Sequence, residues 1–169
     1  EVDAVVEALG SAGPSPPRLT LLAETIDAVR GLEDIVDGHP EWVDHVHIGL
    51  NDLSLERGTS FLCEPVATGA IAELARRVLS LGRRFGFGGV GRPGQGMVPA
   101  EMILGEHVRV GSSCVILARS FHRAIDPEDP DALASGIAEV RRWEDQWRTS
   151  SAEALEQKHR ALADAIRSV

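Results

Sequence analysis

The chain has 169 residues and a mass of 18.1 kDa, enough for one compact domain whose core needs no covalent staples. Its formal charge of -9, from 26 acidic against 17 basic residues, argues against a nucleic-acid footprint or an anionic-membrane surface as a whole-chain property. No apolar run approaches the roughly 18 residues of a membrane span, and the N-terminus has no basic stretch followed by an apolar one.

Residues 2 to 10, VDAVVEALG, put Val5, Val6 and Leu9 at helical spacing before Gly10, and a proline- and serine-rich loop, SAGPSPPR, follows. The short run LTLLAE, residues 19 to 24, has leucines on both faces and predicts a strand covered on both sides, ending in a carboxylate. In TIDAVRGLEDIVDG the apolar Ile26, Val29, Leu32 and Ile35 or Val36 recur every three to four positions, which predicts a helix stopping at Gly38. VDHVHIG, residues 43 to 49, is the next strand, and it leaves through Asn51 and Asp52 into a polar turn. The stripe Ile71, Leu74, Ala75 and Val78 predicts a helix from Val66 to Leu81, closed by Gly82. RFGFGGV (84 to 90) reads as a glycine-rich strand, GRPGQGMV as a loop, and Pro99 as the start of a short helix through His107. VRVGSS (108 to 113) is the expected fourth strand, and CVILARSFHRAI the helix that leaves it.

Such alternation of strand and helix predicts an α/β fold with a parallel sheet. After it comes DPEDPD, a punctuated hinge, then two helical stretches. The first presents Val140, Trp143 and Trp147 on one side, as core cover or as a subunit contact. The second opens on a capping box of Ser150 and Glu153 and continues through Leu155, Leu162 and Ile166. The two cysteines, Cys63 and Cys114, lack CxxC spacing and are expected to be buried thiols in a reducing compartment, with a cytoplasmic location as the default.

Parallel sheets do their chemistry at the C-terminal ends of their strands. The predicted ends are Glu24, then Gly49-Leu50-Asn51-Asp52, then Gly88-Gly89-Val90-Gly91, then Gly111-Ser112-Ser113. Two neighbouring carboxylates suit Mg²⁺ or Mn²⁺, which take hard oxygen ligands and complete their shell with water and substrate. The plainer alternative has Glu24 capping the helix that begins near Thr25 and Asp52 forming an Asx turn. Gly111 and Ser112, if they precede a helix, offer backbone N–H groups to an anion. Arg92 is a nearby fixed cation, for a substrate carboxylate or for a surface salt bridge. His45 and His47 lie two apart and share a strand face, as acid/base groups or as structural hydrogen-bonding histidines. Neither GRPGQG nor GFGGVG satisfies a Walker or dinucleotide fingerprint.

With these residues located, the segments LLAETIDAVRGLEDIV, VDHVHIGLNDLSLERG, GFGGVGRPG and VRVGSSCVILARSF together resemble the HpcH/HpaI aldolase and citrate lyase family of phosphoenolpyruvate/pyruvate-binding barrels, over roughly residues 19 to 122. The resemblance implies a (β/α)8 TIM-barrel type of fold, with this chain supplying about strands five to eight, residues 1–125, and a C-terminal helical extension, residues 126–169. It implies a Mg²⁺ or Mn²⁺ ion held by Glu24 and Asp52 and backbone around Gly49, Leu50 and Asn51 holding a substrate carboxylate. The implied reaction is aldol-type carbon–carbon cleavage of a 2-oxo acid or related acyl-CoA through a pyruvate-like enolate. Two positions depart from the family: Leu22 stands where a glutamine is usual, and Gly-Leu-Asn-Asp where Gly-Pro-Ala-Asp is usual.

A whole barrel takes about 250 residues. The expectation is therefore that the active site is completed by an N-terminal half, a companion chain or a homo-oligomeric partner, because open parallel edges and a bare barrel interior invite pairing. The competing expectation is a barrel-derived binding or oligomerisation module without catalysis.

Overall fold

The computed structural model of the chain describes residues 1–10, 17–123, 129 and 131–169. The proline-rich loop and the DPEDPD hinge, with the expected boundary at 125/126, lie mostly or wholly outside these residues. Helix α1 (Val2–Gly10) precedes strand β1 (Leu19–Ala23), followed by α2 (Ile26–Arg30), α3 (Leu32–Gly38) and β2 (Val43–Ile48). Then come α4 (Leu50–Arg57), α5 (Glu64–Ala67), α6 (Ala70–Ser80), β3 (Arg84–Val90), α7 (Ala100–Arg109) and β4 (Cys114–Leu117). The chain continues in α8 (Arg119–Arg123), α9 (Ala132–Arg148) and α10 (Ala152–Arg167). Among the described residues no helix is long and apolar enough to cross a membrane.

The four strands pair in sequence order, β1-β2-β3-β4, and every pairing is parallel. A doubly wound sheet reverses its strand order at a switch point, whereas sequential order without reversal is the arrangement of part of an α/β barrel. One face of the sheet is packed: Val46, Ile48, Phe85 and Phe87 are fully buried with Leu53, Ile71 and Val78 from the helices. Leu22 and Ile116 point to the other face and are about half exposed. The first strand is thus covered on one side only, not on both, since Thr20 and Leu22 are exposed while Ala23 is buried.

Several sequence expectations need correction. The single helices read across residues 25–38 and 66–81 are each broken in two, at Gly31 and at Gly69, the latter with φ +80°. The polar turn after Gly49 is helix α4, ended by Gly58 at φ +67° with the Thr59 N–H returning to the Ser54 carbonyl. The largest shift concerns the fourth strand, which is Cys114–Leu117 and not residues 108–113. Val108 and Arg109 still belong to α7, and Gly111 at φ +75° terminates it, with the Ser112 N–H bonded to the His107 carbonyl at 2.9 Å. The β-branched Val115 and Ile116 then form the strand that the sequence reading assigned to a helix.

The C-terminal helices join the body of the protein. Leu162 and Ile166 of α10 belong to the main core, and Trp147 of α9 is buried against α7, its indole donating to the Glu101 carbonyl at 2.8 Å. Trp147 approaches Gly105 so closely that a Cβ there would stand 3.2 Å from the indole. Trp147 is therefore core cover; Trp143 stacks on it at 6.2 Å. Glu106, buried in α7, accepts from Arg109 Nε and Nη2, each at 2.8 Å, and lies 3.0 Å from His159 Nδ1 of α10. The cap of α10 is Ser151, not Ser150, its hydroxyl accepting the Ala154 N–H.

Candidate functional site

Ala23 and Ile48 are paired across β1 and β2, so Glu24 and Gly49 leave the sheet side by side. The Gly49 N–H donates to the Ala23 carbonyl at 3.0 Å. A Cβ on Gly49 would lie 2.7 Å from Glu24 Cβ and 2.8 Å from its Oε2, so only glycine lets the Glu24 side chain lie against this backbone. Asp52 is exposed in the first turn of α4, and the Asn51 amide donates to its carboxylate at 3.4 Å. The capping role considered for Glu24 belongs instead to Thr25, whose hydroxyl accepts the Ala28 N–H at 3.1 Å. Asp52 sits in a helix and not in an Asx turn. Sequence reasoning passed over Glu56, whose carboxylate accepts the Ile26 N–H at 2.6 Å and ties α4 to the start of α2. Glu24 and Leu22 line an open cavity of about 560 Å³ with Thr25, Ala28 and His39.

The glycine-rich end of β3 opens on a second cavity, of about 300 Å³, lined by Gly89, Gly91, Arg92, Gln95, Ser120 and Cys63. The Arg92 guanidinium donates to the Ala132 carbonyl at 2.9 Å and lies 5.7 Å from the centre of the Phe121 ring, joining the exit of β3 to α9. Gly111 and Ser112 are not at a strand exit. They precede β4, and Ser113 binds the carbonyl of Phe85, near the start of β3, so they lie at the sheet end opposite Glu24. The Ser112 hydroxyl is engaged by His107 Nδ1 at 2.9 Å and by the Cys114 carbonyl at 2.9 Å. The placement on which substrate binding by Gly111 and Ser112 was expected is therefore not found: the glycine ends α7, and a strand, not a helix, follows it.

A third constellation lies in the middle of the open sheet face. His47, Gly86 and Cys114 are in register across β2, β3 and β4. Because Gly86 has no side chain, the groups on either side meet across it: a Cβ there would stand 2.7 Å from His47 Nδ1 and 2.9 Å from Cys114 Sγ. Cys114 Sγ lies 3.2 Å from His45 Nε2 and 3.8 Å from His47 Nδ1. The ligand atoms of the three residues are all within 4.8 Å of one another. Both histidines are buried, while Cys114 is exposed, contrary to the expectation of two buried thiols; Cys63 alone is in the core, where burial pushes its thiol up to about 11.

Burial pushes both imidazoles below their ordinary range, opposed by the carbonyl of Phe85 at His45 and that of Gly88 at His47. Burial likewise pushes the Cys114 thiol up, with Arg84 acting against it. A raised thiol beside neutral imidazoles is not an activated nucleophile, which needs a stabilised thiolate. Two imidazoles and a thiol can instead hold a divalent metal, a donor set compatible with metal-dependent chemistry in general. The sequence signal was half visible: His45 and His47 shared a face, but Cys114 had been assigned to a helix, and Gly86 was not read as a gap. No protein-family model matches the chain, and no curated protein or solved structure does either.

Proposed function

We propose that the chain carries the metal-binding part of a divalent-metal-dependent carbon–carbon lyase of the HpcH/HpaI type, acting on a 2-oxo acid or a related acyl-CoA. The observation that carries this reading is the pairing of strand exits, with Glu24 packed on the backbone of Gly49 and Asp52 one helical turn beyond. In this reading the Glu24 and Asp52 carboxylates and the Asn51 amide oxygen supply the all-oxygen donors that Mg²⁺ or Mn²⁺ takes. Bound there, the ion supplies positive charge beside the oxygen on which an enolate develops. The N–H groups of Leu50 and Asn51 open α4, where the first turn has no intrahelical acceptors, and they suit a substrate carboxylate. Arg92 at the neighbouring cavity is a further candidate for the substrate's anionic end. The same reading has the open sheet face closed by the rest of a barrel, from another segment, a companion chain or a second copy.

Calorimetric titration with Mn²⁺ tests the site. Glu24→Gln and Asp52→Asn should each weaken binding at least about tenfold; unchanged affinity in both removes the proposal. Release of pyruvate from 4-hydroxy-2-oxo acids or cleavage of acyl-CoA esters, screened with the same variants, then names the substrate. A second reading, a barrel-derived binding or oligomerisation module, is favoured by the exposure of Leu22 and Ile116 on the sheet. It predicts concentration-dependent association with no specific Mn²⁺ binding.

A further inference from the structure

We propose that His45, His47 and Cys114 form a second metal site, separate from the strand-end carboxylates, that selects zinc or a similarly soft divalent ion and keeps one coordination position open on the sheet face where Cys114 is exposed. Distance is the first argument. Tetrahedral zinc with bonds of about 2.3 Å to sulfur and about 2.0–2.1 Å to nitrogen has sulfur–nitrogen edges of about 3.5 Å. The two edges in the protein are 3.2 and 3.8 Å.

Orientation is the second. His47 Nε2 lies 2.8 Å from the Gly88 carbonyl, and a carbonyl can only accept, so Nε2 holds the proton and Nδ1 turns its lone pair toward Cys114. A ring fixed by a backbone carbonyl at its far nitrogen is the usual support of a metal-ligating histidine. His45 presents Nε2 to the same sulfur at 3.2 Å.

Satisfiability is the third. Two buried imidazoles direct a nitrogen at one sulfur, and a thiol has a single hydrogen to give. A cation bound to the thiolate engages the His47 Nδ1 lone pair and the His45 nitrogen that faces the same sulfur together. Thiolate and imidazole also exclude Mg²⁺, which demands oxygen. Three protein ligands leave the fourth position for water or an added ligand, facing the side on which Leu22 and Ile116 are exposed.

Co²⁺ titration of the full chain, read by absorbance, decides the matter. One equivalent should produce a near-ultraviolet sulfur-to-cobalt charge-transfer band that Zn²⁺ abolishes by displacement. Cys114→Ser should lose the band and bind Zn²⁺ at least about a hundredfold more weakly, measured against a chelating dye. Gly86→Ala removes no ligand but fills the gap between two of them, and it should weaken Zn²⁺ at least about tenfold. Far-ultraviolet circular dichroism checks that it folds; if it does not, His47→Gln carries the same expectation. Cys63→Ala should leave the band and the Zn²⁺ affinity unchanged. Absence of the band in the unsubstituted chain, its persistence in Cys114→Ser, or undiminished Zn²⁺ affinity in folded Gly86→Ala would overturn the proposal.

Discussion

On the helix-covered face of the sheet Val46, Ile48, Phe85 and Phe87 are wholly buried, whereas on the opposite face Leu22 and Ile116 are 47% and 51% exposed. The exposed pair lies on the edge strands β1 and β4, the buried set on the central β2 and β3; along β2, parity sends Val46 and Ile48 toward the helices and His45 and His47 to the other face. The covered face holds most of what stabilises the fold. The open face concentrates His45, His47 and Cys114, groups that cost stability when desolvated and contribute to it only through partners. The groups able to hold a metal therefore cluster on the face away from the helices.

The largest test of this division is acid. His107 is buried against Phe87, stacked at 3.9 Å, and burial, with a smaller effect of His47, pushes it down to about 3 from an ordinary 6.5. Below pH 6.5 the unfolded chain takes up a proton that the folded chain refuses. Stability is thus fully present above that pH and declines as pH falls toward about 3, by roughly 5 kcal/mol at the limit. Urea unfolding across that range should show the decline, and His107→Phe should flatten it; an unchanged slope would remove His107 from the covered layer.

Phe87→Ala, on the same face, should cost about 4 kcal/mol in urea denaturation at pH 7, from lost transfer energy and the cavity left behind. Glu106→Gln should cost about 3 kcal/mol, because it removes the charge that Arg109 and His159 share at the junction of α7 and α10. Ile116→Ser, on the open face, should cost under about 1 kcal/mol. A loss there as large as that of Phe87→Ala would mean that a partner covers the open face in solution, and sedimentation at several concentrations would then show association.

Much of the fold was legible in the residues. The spacing in VDAVVEALG, the apolar run LTLLA and the alternation of VDHVHI correspond to α1, β1 and β2 because each pattern is carried by near neighbours in the chain. The fourth strand was not legible, because VRVGSS alternates like a strand while Gly111 acts as a helix terminator, and only the paired backbone distinguishes the two. That one displacement moved Gly111 and Ser112 to the wrong end of the sheet and hid Cys114 from the histidines. Glu24 and Asp52 were recognisable as strand-end carboxylates, since each immediately follows an apolar run. Arg92 was recognisable as a cation but not as the group that ties β3 to α9, a contact made across 40 residues.

By itself the sequence determined the alternation of strand and helix, the parallel sheet and the shared face of His45 and His47, all of which follow from spacing between near neighbours. Tertiary structure alone decided the register His47–Gly86–Cys114, in which an absent side chain on the middle strand lets residues 67 positions apart come within 3.8 Å. The physical reason is that parity along a strand is a local property, while the alignment of one strand with the next depends on how the helices between them pack.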